Sequence, residues 1–156
     1  LLGEAVSEEK GEAAQSADLD CLIDISVNAH IPESYVESLT LRLDVYRRIA
    51  DIRNKEDSLD VKDELKDRFG EIPESVLGLI DIALIRNCAN AMGIYEIRQT
   101  DTNVLLFVKE IKSPKVIELL SRLNGRAMLS AGNKPYITIR CGGGSSLDML
   151  KKVFKI

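Results

Sequence analysis

The strongest hydrophobic signal in the chain runs from Pro73 to Met92, PESVLGLIDIALIRNCANAM. Wound as a helix, it places Val76, Leu77, Leu79, Ile80, Ile82, Leu84, Ile85, Cys88, Ala89 and Met92 around nearly the whole circumference. A helix with so little wet side is either central to a core or inside a membrane. Asp81, Arg86, Asn87 and Asn90 interrupt the pattern, and no uninterrupted apolar run approaches the ~18–20 residues a membrane span needs. The pattern therefore predicts a core rod that the rest of the chain wraps. Pro73 fits a first-turn position, Glu74 complements the positive end of the helix dipole, and Gly93 fits a left-handed stop.

Before this rod the periodicity predicts a strand and two helices. Leu19–Val27 (LDCLIDISV) alternates as a strand does, and Asn28-Ala29-His30-Ile31-Pro32 reads as a turn, because the residue before a proline is held out of the helical region. Ser38–Arg53 places Leu39, Leu43, Tyr46, Ile49 and Ala50 along one side of a helix, with Leu41, Val45 and Ile52 beside them. Glu56–Phe69 carries a narrow apolar stripe, Val61, Leu65 and Phe69, and Gly70 ends it. Residues 1–18 read as the end of an upstream helix and an acidic linker too polar to pack alone.

After Gly93 the period changes from helical to two. Tyr95–Gln99 and Val104–Val108 read as a hairpin across Thr100-Asp101-Thr102-Asn103. Pro114–Leu123 reads as a helix capped by Ser113, Arg126–Ala131 and Tyr136–Arg140 as a second hairpin, and Ser145 or Ser146 as the cap of a last helix. The expected class is α+β. A helical lobe, 19–93 (a strand plus three helices), packs on a lobe at 94–156, a four-stranded, mostly antiparallel sheet with two helices in ββαββα order.

Charge sharpens this division. Residues 1–93 hold 10 Lys/Arg against 20 Asp/Glu, whereas residues 94–156 hold 11 against 5. Such a split points to two surfaces choosing different partners. At 4% aromatic with no Trp, base-stacking platforms are not expected. Cys21, Cys88 and Cys141 are far apart and form no C-x-x-C pair, which argues for a reducing, cytoplasmic setting and against disulfides or zinc.

Few residues carry obvious chemistry. His30 is the sole histidine and lacks a nucleophile elbow near it, so it reads as an ordinary turn residue. Cys88, inside the rod, reads as a small apolar residue. Asp60/Glu64 and Glu64/Asp67 have helical spacing but no supporting loop or histidine, and no metal or cofactor is expected. Cys141-Gly142-Gly143-Gly144-Ser145-Ser146 has the look of an anion cradle at a helix start. It lacks the G-K-[ST] ending of a nucleotide loop and reads as a connection. Arg126, Arg140, Lys151, Lys152 and Lys155 read as a solvated basic face. The least bland feature is an arc of six carboxylates, Glu56, Asp57, Asp60, Asp63, Glu64 and Asp67, confined to roughly 120° of one helix at ~100° per residue. Charge runs usually mean only a solvated face. Carboxylates so placed nevertheless repel one another unless a cationic partner or salt offsets them, so a wet face and a basic partner both remain open from the residues alone.

Several stretches resemble a known family: Tyr46-Arg47-Arg48-Ile49-Ala50, Glu64-Leu65-Lys66-Asp67-Arg68-Phe69-Gly70-Glu71-Ile72-Pro73-Glu74, Ile82-Ala83 and Met92-Gly93-Ile94. They are similar to the C-terminal domain of bacterial transcription-repair coupling factor, and His30-Ile31-Pro32-Glu33-Ser34-Tyr35 resembles its I-P-D-x-Y segment. The resemblance covers about residues 19–95. It implies a regulatory, non-catalytic domain of an ATP-driven DNA translocase that displaces stalled RNA polymerase and recruits UvrA. It further implies that the domain folds back on an N-terminal UvrB-like domain of the same polypeptide and masks the UvrA-binding surface. By the motif, Glu64 and Asp67 would meet arginines there, with Asp60 and Asp63 extending the interface. Tyr46, Arg47, Arg68, Phe69, Gly70 and Pro73 would be structural. No membrane contact and no direct nucleic acid contact are expected. The runner-up is a nucleic-acid-binding module using the basic C-terminal lobe, followed by a small enzyme taking an anion at Gly142–Gly144.

Overall fold

The computed structural model describes residues 20–141 and 145–156. The expectations for residues 1–18 and for Gly142–Gly144 lie outside the described residues. In chain order the elements are β1 (Leu22–Asp24), α1 (Leu39–Ala50), α2 (Lys55–Phe69), α3 (Glu74–Met92), β2 (Ile94–Gln99) and β3 (Asn103–Val108). There follow α4 (Pro114–Leu123), β4 (Ala127–Ser130), β5 (Tyr136–Arg140) and α5 (Ser146–Val153).

The sheet has five strands in the order β1-β2-β3-β5-β4. This corrects the expected four: β1 does not stay with the helices but lies parallel to β2, pairing Leu22 with Glu96 and Asp24 with Arg98. Parallel neighbours need a long crossover, and here α1, α2 and α3 form it. The remaining pairs are antiparallel, as expected, with a bulge between Ile94 and Glu96.

Helix α3 is the rod predicted from the sequence. By length and composition alone it could cross a membrane, yet Val76, Ile80, Ile85 and Ala89 are 0% exposed within the protein. It serves two cores. Val76, Ile80, Ala83 and Leu84 join Val45 and Ile49 of α1, Ile52 of the link after it, and Val61 and Leu65 of α2. Ile85 and Ala89 join Ile97, Val104, Leu106, Ile137 and Ile139 of the sheet, together with α4 and α5. Each fully buried aliphatic side chain contributes about 1.5–3 kcal/mol. Two of the polar interruptions of α3, Asp81 and Asn87, are points of attachment. Asp81 pairs with Lys151 of α5 at 3.1 Å, and the Asn87 amide donates to the Ile52 and Ala83 carbonyls. Gly93 caps the helix at φ 78°, a left-handed conformation that glycine adopts without strain.

One helix face turns out differently from its pattern. On α1 the core side is Val45 and Ile49, with Ile52 just beyond the helix, while Leu39, Leu43 and Tyr46 are 63%, 47% and 38% exposed. Both stripes are apolar, and only tertiary packing chooses between them. The Tyr46 hydroxyl accepts a hydrogen bond from the Ile31 amide at 2.9 Å, which fixes the ring against the preceding turn.

Candidate functional site

Helix α2 sets out the carboxylate arc. Its start is fixed by a reciprocal cap: the Asn54 side chain accepts from the Asp57 amide at 2.8 Å, and the Asp57 carboxylate accepts from the Arg53 amide at 2.9 Å. Its end is fixed by Gly70 at φ +90°, a conformation that strains any other residue. Tyr35 donates its hydroxyl to the carbonyls of Leu65 and Gly70 across this terminus. Its ring packs on Phe69 with centroids 5.7 Å apart. Val61 and Leu65 are buried beneath, so the opposite side faces outward.

The six carboxylates divide into two kinds. Asp57 is committed to the cap. Glu64 is committed to arginines of the same fold: its Oε1 lies 2.6 Å from Arg48 of α1, and its Oε2 lies 3.3 Å from Arg68 one turn later. Both neighbours hold the Glu64 carboxyl below its ordinary range, the Arg48 hydrogen bond contributing most. Arg48 is raised in turn, chiefly by that same bond. Glu64 therefore does not stand as a free charge awaiting an outside arginine. It ties α1 to α2 and braces Arg68, whose guanidinium also sits 5.0 Å over the Phe69 ring.

The other four, Glu56, Asp60, Asp63 and Asp67, are exposed. None makes a hydrogen bond or ion pair among the described residues, though Asp60 is close enough to Arg48 to add to the rise in its pKa. At helical spacing they form one stripe along the outer side of α2. Asp60, Asp63 and Asp67 of the expected interface set thus share a surface. Glu64 lies at its edge, on the α1 side. The brace supplied by Arg48 had no signal in the sequence, since nothing local says that residues 48 and 64 meet.

The remaining motif residues hold the frame. Arg47 pairs with Asp44 at 3.2 Å on the outside of α1, and Pro73 occupies the N-cap of α3, one residue outside the expected first turn. His30 is exposed in the turn before α1. Burial pushes the Cys21 thiol up to about 12 and raises Cys88 as well, which leaves both as weak nucleophiles. Among the described residues no group of three or more His, Cys, Asp or Glu could hold a metal ion.

The sequence profile of the TRCF domain family matches residues 25–118, which includes α1, α2, α3 and the first two antiparallel strands. The transcription-repair-coupling factor of Bacillus subtilis (strain 168) is 30% identical over 159 residues, covering 98% of this chain. That of Staphylococcus epidermidis RP62A is 32% identical over 119 residues, covering 76%. The chain spans 14% of the length of the first relative and 10% of the second. The crystal structure of a C-terminal domain of transcription-repair coupling factor superposes with a TM-score of 0.75. It covers 86% of this chain and 88% of its own at 17% identity, a likeness of fold.

Proposed function

Because the chain belongs to the TRCF domain family, we propose that it is a non-catalytic regulatory domain of a transcription-repair coupling factor that clamps a basic surface through the acidic stripe of α2. The partner is the N-terminal UvrB-like domain of the same polypeptide. While the clamp holds, the surface UvrA uses is masked and the ATP-driven translocase is repressed. Engagement of RNA polymerase releases it. The observation that carries this reading is the stripe itself, four exposed carboxylates with no ion-pair partner among the described residues. They sit on a helix whose other side and both ends are fixed. Such a surface meets an arginine-rich partner without first breaking its own ion pairs.

Glu64 takes a supporting part in this arrangement. By holding Arg48 and Arg68, it keeps two guanidinium groups from drifting over the stripe and cancelling it. An autoinhibitory contact has to open again, which suits a polar patch of moderate size. The test is made in the full-length parent. Asp63→Lys with Asp67→Lys reverses two charges on the stripe and should let UvrA bind without RNA polymerase present. UvrA binding that stays as weak as in the unaltered protein would refute the clamp.

A further inference from the structure

The five basic residues that the sequence groups in the C-terminal lobe do not form one patch. Lys151 is taken up by Asp81, and Lys155 lies elsewhere, beside Cys88 and Phe154. Arg126, Arg140 and Lys152 instead line a single open cavity of about 710 Å³, to which β4, β5 and α5 contribute. The size falls within the ~300–1,000 Å³ range of ligand pockets. All three are exposed and none makes an ion pair among the described residues. By contrast, Arg42, Arg47, Arg48, Arg68 and Arg98 all have carboxylate partners. Among the described residues Asp148 is the only acid in the cavity wall. Three cations converging on one hollow repel one another, and an anion placed among them removes that cost.

The sheet part of the cavity wall, Met128, Thr138 and Arg140, belongs to the face opposite the one that carries Ile137 and Ile139 into the core. Thr138, in its wall, stands between Leu105 and Met128 in the sheet register. Two residues along the same face, Tyr136 packs against Phe107 with ring centroids 5.4 Å apart, and Tyr95 packs on the far side of Phe107 at 6.2 Å. The fold thus gathers three of the seven aromatic rings onto one open surface, against the expectation from composition. Met128 is 70% exposed there.

We infer that this hollow and the sheet face beside it bind a single strand of nucleic acid, with backbone phosphates among Arg126, Arg140 and Lys152 and bases over Met128, Leu105 and Tyr136. Cations that follow the backbone next to apolar and aromatic side chains that accept bases are the two components of sequence-tolerant single-strand binding. An acidic peptide would be drawn by the charge but would leave the apolar face unused. Pyrophosphate would fill the cavity but reach no further.

The test uses the whole 156-residue chain and a fluorescein-labelled oligo-dT of about 15 nucleotides, followed by anisotropy. Three phosphate contacts predict roughly 20-fold weaker binding on going from 50 to 200 mM salt. Arg126→Ala, Arg140→Ala and Lys152→Ala each weaken binding several-fold and flatten the salt dependence. Arg140→Lys retains most of the affinity, and Lys66→Ala on α2 changes nothing. No binding at 50 mM salt with protein at about 100 µM, the weak limit of non-specific association, would overturn the inference. So would equal loss in Lys66→Ala, or equal competition by polyglutamate or by pyrophosphate.

Discussion

The outer stripe of helix α2 and the cavity beside β5 are each dominated by one sign of charge, but they arise in different ways. The acidic stripe comes from Glu56, Asp60, Asp63 and Asp67, all within one helix, so its existence follows from helical periodicity. What the fold adds there is subtraction: of the six carboxylates in the arc, Asp57 goes to a cap and Glu64 to Arg48 and Arg68. The basic cavity draws Arg126, Arg140 and Lys152 from separate elements, and no local pattern brings them together. In both places the sequence overstates the surface: six carboxylates reduce to four on α2, and five basic residues reduce to three at the cavity, Lys151 going to Asp81 and Lys155 lying elsewhere.

Both surfaces rest on α3, and the largest expected effect tests that shared support. Ile80→Ala opens a cavity under the acidic helix and Ile85→Ala one under the sheet. Each should cost about 2–5 kcal/mol in denaturant unfolding. Because α3 belongs to both cores, amide signals of α1 and α2 and of the sheet, followed separately by NMR, should give coincident transitions in either variant. Separate transitions would mean that the two regions fold independently.

A smaller effect concerns the start of α2. Asn54→Ala removes the acceptor for the Asp57 amide and should cost about 1 kcal/mol, with fraying of the first turn visible as faster amide exchange at Asp57 and Ser58. Within the arc itself, committed and exposed carboxylates should differ in cost. Glu64→Gln should cost roughly 0.5–1 kcal/mol, because it strips a carboxylate from two arginines on a partly exposed surface. Asp67→Asn should change stability by less than about 0.5 kcal/mol. If the two substitutions cost the same, the division between committed and free carboxylates is wrong.

That division also has a pH signature. The folded state holds the Glu64 pKa below its ordinary value, so its pair with Arg48 and Arg68 stabilises the fold at pH values above the unfolded glutamate pKa. The contribution disappears as pH falls through the lowered, folded value. The stability gap between the unaltered chain and Glu64→Gln should therefore be full near neutrality and close in acid. A gap that stayed constant with pH would point to packing in place of charge.

Much of the fold was legible because its signals are periodic or stereochemical. The apolar circumference of α3, the stop at Gly93, the narrow stripe of Val61, Leu65 and Phe69, and the two hairpins all act within a few residues of sequence. What stayed hidden depends on contacts between distant segments. Parallel pairing of β1 with β2 spans the whole helical region, so Leu22–Asp24 could not be assigned to the sheet from alternation alone. On α1, Leu39, Leu43 and Tyr46 read as well as Val45 and Ile49 for the buried side. The aromatic cluster of Tyr95, Phe107 and Tyr136 was masked by a low aromatic content that says nothing about where the rings meet. In the candidate interface the motif pointed to Glu64 and Asp67 together, and only the position of Arg48 separates them.

The clamp requires that the exposed carboxylates of α2 make the contact. Calorimetric titration of this chain with the isolated N-terminal domain of its parent, at low and at moderate salt, measures that directly. The predicted result is salt-sensitive binding that falls by about tenfold or more in the Asp63→Lys, Asp67→Lys variant and is nearly unchanged when Arg126, Arg140 and Lys152 are replaced by alanine. Equal affinity and equal salt dependence in the unaltered and charge-reversed chains would contradict it.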